Sequence, residues 1–74
     1  MFRMKIEQQL NLNDRTLILG IPEFDVIPQR LRIGNSDFTV MGISVGTKPP
    51  YMSLEIEKTT KNLISAEAHS KSIT

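Results

Sequence analysis

Glu55 and Glu57 stand two residues apart in Met52-Ser53-Leu54-Glu55-Ile56-Glu57-Lys58. In a strand this spacing puts both carboxylates on one face, roughly 7 Å apart. Such a pair can hold a cation or divide the work of an acid and a base. The same pattern describes a solvated strand face paired across the sheet with Arg30 and Arg32, and that reading is preferred because exposed charges are mostly solvated. Asp14, Asp25 and Asp37 fall in turn-forming stretches, where a short carboxylate side chain bonds the local backbone. His69 is the only histidine and there is no cysteine. One chain therefore cannot assemble a two-histidine metal site, a thiolate site or a cysteine nucleophile, and His69 lies in a polar tail rather than beside a nucleophile. No serine stands in a Gly-x-Ser-x-Gly setting. Gly42-Ile43-Ser44-Val45-Gly46 has glycines four apart, but no helix pattern follows them to complete a phosphate cradle. The expectation is a protein without catalytic residues, cofactor or metal.

Binding residues are sought on loops, which present shaped side chains on a rigid scaffold at small entropic cost. Two segments qualify. One is Pro22-Glu23-Phe24-Asp25-Val26-Ile27-Pro28, with Phe24 and Asp25 as partner-binding candidates; the alternative is that Phe24, Val26 and Ile27 cap the core. The other is Lys48-Pro49-Pro50-Tyr51, where a stiff proline pair presents an aromatic, making Pro49, Pro50 and Tyr51 candidates. A competing reading gathers Arg15, Arg30, Arg32 and Lys48 into a nucleic-acid surface, with Phe24 or Tyr51 as a stacking platform. Nine Lys+Arg against eight Asp+Glu leave a net charge of +1, which does not favour that reading or an acidic membrane. A protein partner, including a second copy of the chain, is the favoured expectation.

The elements that must position these residues are strands. Residues 4–10 alternate, with Met4, Ile6, Gln8 and Leu10 on one side and Lys5, Glu7 and Gln9 on the other. Residues 15–21 are nearly continuous apolar and end at Pro22, the pattern of a central strand covered on both faces. Residues 29–33 alternate again, with Leu31 and Ile33 inward. Gly34-Asn35-Ser36-Asp37 is a turn with strand sequence on both sides. Residues 38–45 form the next strand, and Gly42 within it marks a bulge or a close backbone approach. Residues 52–58 give the cleanest alternation. Residues 59–64 read as a short strand or one helical turn, and 65–74 as a polar tail, mobile or briefly helical.

Seventy-four residues make one domain, here assigned to residues 1–64. Five or six short strands need an arrangement without open edges, so the expected fold is all-β, a small closed or partly open barrel. No run reaches the length of a membrane span, and the first residues lack the apolar stretch of a signal peptide; a soluble cytoplasmic protein is expected. A core this small, built on Leu, Ile, Val and Met, supplies only about 3–5 kcal/mol of stability. Association with itself or with a partner is the expected remedy.

The order Thr16-Leu17-Ile18-Leu19-Gly20-Ile21, a short excursion, Leu31-Arg32-Ile33-Gly34, then Phe38-Thr39-Val40-Met41-Gly42-Ile43 resembles the second β-barrel domain of translational GTPases of the elongation factor Tu class. The similarity spans roughly residues 4–64. It departs from the family pattern at Asn13-Asp14-Arg15, where a glycine-rich turn is usual, and at Gly34-Asn35, which replaces Gly-Asp. No G-domain motif is present, so the resemblance implies a stand-alone barrel without GTP hydrolysis. It also implies contacts with tRNA, the ribosome or a neighbouring domain, and so supports a ribosome-associated barrel as the second reading.

Overall fold

The computed structural model describes residues 1–23, 26–44 and 46–70. Six antiparallel strands close into a barrel in the order β1-β2-β5-β4-β3-β6. They are β1 (Arg3–Asn11), β2 (Arg15–Pro22), β3 (Arg30–Ile33), β4 (Ser36–Ile43), β5 (Met52–Glu57) and β6 (Glu67–Ser70). The expected all-β barrel is thus found, fully closed, with no helix among the described residues. Closure removes the row of unpaired backbone groups that an open sheet of this size would expose.

Alternation fills the interior. Met4 and Ile6 of β1, Ile18 of β2, Leu31 and Ile33 of β3, Phe38 of β4 and Leu54 and Ile56 of β5 are all buried. Phe2 and Leu63 join them from outside the strands. The turn between β3 and β4 is a two-residue hairpin, with Ile33 opposite Ser36 and Gly34 at φ 62°. That left-handed value favours glycine in the first loop position. Gly20 serves a different need: a Cβ there would stand 2.1 Å from the Lys5 carbonyl oxygen, so β1 and β2 approach as they do only because the side chain is absent.

Three expectations are corrected. Residues 4–10 do not keep one alternation: the β1–β2 register shifts between Ile6 and Gln8, placing Glu7 in a bulge. After it Gln8 and Leu10 lie opposite Leu19 and Leu17, and Gln9 and Asn11 opposite Ile18 and Thr16. Directly opposed residues share a face, so Leu10 turns outward and Gln9 inward. β2 is not covered on both sides; Thr16, Ile18 and Gly20 are buried while Ile21 is 42% exposed on the other face. The assigned boundary at residue 64 also falls inside the barrel. β6 pairs with β1 through Arg3, Met4 and Lys5 and with β3 through Leu31, Arg32 and Ile33. Ala68 is completely buried between Met4 and Ile33, and its small side chain leaves room for both. Of the expected tail, residues 71–74 lie outside the described residues.

The bulge predicted around Gly42 is present, as a register shift between Val40 and Gly42. Residues 59–63 form neither strand nor helix and cross one end of the barrel. Gln9, turned inward by the β1 bulge, donates to the Lys61 carbonyl at 2.8 Å and accepts from the Leu63 N–H at 2.7 Å. Thr16, wholly buried, donates to Asn11 Oδ1 at 3.1 Å and accepts from the Thr59 N–H at 3.0 Å. The half-buried Gln9 and the buried Thr16 thereby find partners, and they seat Leu63 over the core.

Candidate partner-binding site

The segment before β5 is a tight turn. The Tyr51 N–H donates to the Lys48 carbonyl at 3.0 Å, and the intervening Pro49–Pro50 bond is cis, the arrangement of a type VI turn. The turn leaves Pro49 and Pro50 exposed and Tyr51 42% exposed. Thr47, Lys48 and Tyr51 form one wall of a shallow open groove of about 360 Å³. The other wall is Glu7 and Gln8 of the β1 bulge, with Leu19 between them. Leu19 occupies that middle position because it lies opposite Gln8 on one side and Ser53 on the other.

The groove continues into an apolar row along β2. Leu17, Leu19 and Ile21 succeed one another on the outer face, and Leu10, 56% exposed, stands beside Leu17. Among the described residues Glu7 and Lys48 form no ion pair. Phe24 and Asp25, the candidates from the first loop, lie outside the described residues. Their neighbour Val26 is 80% exposed, whereas Ile27 packs against the core.

The four basic candidates are engaged differently. Arg15 holds Asp14 at 2.9 Å and also pairs with Glu55, which raises its pKa above the ordinary arginine value, chiefly through the hydrogen bond it donates to Asp14. The same contact lowers the pKa of Asp14. Arg32 pairs with Asp37 at 3.0 Å. Arg30 lies opposite Thr39, whose N–H donates to Glu57 and holds that carboxyl below its usual range; the positive charge of Arg30 acts in the same direction. Lys48 alone belongs to the groove. The carboxylates at 55 and 57 do sit among cross-strand partners, but the guanidinium on Glu55 is that of Arg15 rather than of Arg30 or Arg32. His69 bonds Glu67 at 3.0 Å on the outside of β6.

The outward row on β2 and the contribution of Glu7 are the residues that alternation did not reveal. The available signal was Thr16 and Gly20 in phase with Ile18. In a small barrel the inner face takes the small residues, which leaves Leu17, Leu19 and Ile21 for the outside. No known family model, curated protein or solved structure matches this chain. The likeness to the elongation factor barrel therefore rests on the strand pattern alone.

Proposed function

We propose that this chain is a non-enzymatic interaction module that binds a protein through the groove between the β1 bulge and the Lys48–Tyr51 turn. One observation carries the reading: the half-exposed Tyr51, and Glu7 and Lys48, which have no ion pair among the described residues, surround the Leu19 floor, which continues into the apolar row of β2. Interfaces favour this composition, an aromatic and aliphatic centre with a polar rim. The absence of catalytic constellations in the sequence supports the same reading. Nucleic acid is not favoured, because Arg15 and Arg32 are held by carboxylates and a single-strand site needs several stacking platforms as well as a positive groove.

The test is affinity capture with the intact chain, with and without nuclease, beside the variants Leu19→Glu and Tyr51→Ala. A protein partner that survives nuclease and is lost with both variants supports the proposal. Capture that depends on nucleic acid, or that is indifferent to both variants, overturns it.

A further inference from the structure

We infer that the groove's occupant is a second copy of this chain, docked about a two-fold axis that runs along β2. The inference rests on the protein-binding reading above and names its partner. Its basis is charge complementarity within a single surface. Glu7 stands on the β1 side of Leu19 and Lys48 on the β5 side, and neither has an ion-pair partner among the described residues. A partner of one sign would satisfy one of them and oppose the other. A copy of the same face, turned over about an axis along β2, exchanges the two flanks. Glu7 of each protomer then lies over Lys48 of its partner, and both charges are matched.

The same rotation preserves position along β2. Leu17, Leu19 and Ile21 of one protomer meet the same residues of the other, with Leu10 beside them. Two outward aliphatic rows, each with Leu17 and Leu19 half-buried and Ile21 and Leu10 exposed, would thus form the dry centre of an interface, with the Glu7–Lys48 pairs at its rim. An axis perpendicular to β2 would instead place Glu7 over Glu7 and Lys48 over Lys48, so the charges select the orientation as well as the occupant.

Sedimentation equilibrium of the intact chain, from about 1 μM to 0.1 mM, tests the inference across the range of ordinary self-association. A monomer–dimer equilibrium is expected. Glu7→Lys and Lys48→Glu should each weaken it at least tenfold, and the double exchange Glu7→Lys/Lys48→Glu should restore it to within about threefold of the parent. Far-ultraviolet spectra of the three variants confirm that each is folded. A monomer throughout the range, a dimer indifferent to the single exchanges, or a double exchange that fails to restore association overturns the two-fold model. If the chain is monomeric yet captures another protein in a manner lost with Leu19→Glu, the protein-binding reading stands and the self-association inference falls. If neither association depends on Leu19, both fall.

Discussion

Around β6, β3 and the first half of β4 the outer surface is polar: Arg32 pairs with Asp37, His69 bonds Glu67, and Arg30 lies near enough to Glu57 to lower its pKa. Around β2 the outward positions after Arg15 are Leu17, Leu19 and Ile21, and the charges at the margin, Glu7 and Lys48, have no ion pair among the described residues. Both flanks enclose the same core and are built from the same alternation. On the proposed reading, the difference lies in what the outside is for. Matched surface charges keep a face hydrated and inert, contributing little to stability. An aliphatic row beside unmatched charges leaves both apolar area and electrostatic potential for a partner to use.

The comparison can be broken most severely at its charged flank. Truncation after Ile64 removes β6 and separates β1 from β3; cooperative thermal unfolding should be lost, and a near-native melting curve would show that the barrel closes without it. On the apolar flank, Gly20→Ala forces a Cβ against the Lys5 carbonyl and should cost about 3 kcal/mol in urea unfolding by spreading the β1–β2 ladder. Leu54→Ala, in the shared core, should cost about 2–5 kcal/mol.

Smaller changes sharpen the contrast. Arg32→Ala on one flank and Tyr51→Ala on the other should each alter stability by less than about 1 kcal/mol, but only the second should weaken association when both are followed by sedimentation. The smallest expected effect is that of pH. Asp14 and Glu57 are both held below their ordinary carboxyl values of 3.8 and 4.5. Their contribution is therefore complete above that range and disappears as pH falls through the lowered folded values. Melting temperature should fall with acidification below about pH 4.5, and replacing Glu57 by Gln should flatten that slope slightly.

The all-β barrel and most of the core were legible in the sequence because alternation at Leu31, Ile33, Leu54 and Ile56 is unambiguous. Two kinds of information were not. The sequence of β1 remains a plausible regular alternation through Glu7, since a bulge is a property of pairing and its partner strand is needed to expose it. β6 was hidden because Ala68, its fully buried residue, is too small to mark a core position in a polar stretch; only the large neighbours Met4 and Ile33 explain why nothing larger fits. The binding candidates divided along the same line. The turn that leaves Tyr51 exposed was readable from its prolines, whereas Leu19 and Glu7 became candidates only once closure had assigned inside and outside.

The bulge at Glu7 also bears on how such a chain can change length. Up to Ile6 the even-numbered residues of β1 face inward, and from Gln9 the odd-numbered ones do. Removing Glu7 would merge the two halves into one regular strand with every other side chain still on its present face. Loss of one residue beyond it, at Leu10 or Asn11, would instead break the pairing of Asn11 with Thr16. Position 7 is thus a place where one residue can be lost while every other side chain of β1 keeps its face. What such a loss removes is the acid on the rim of the groove, so that, on the proposed reading, partner preference changes there by deletion rather than by substitution.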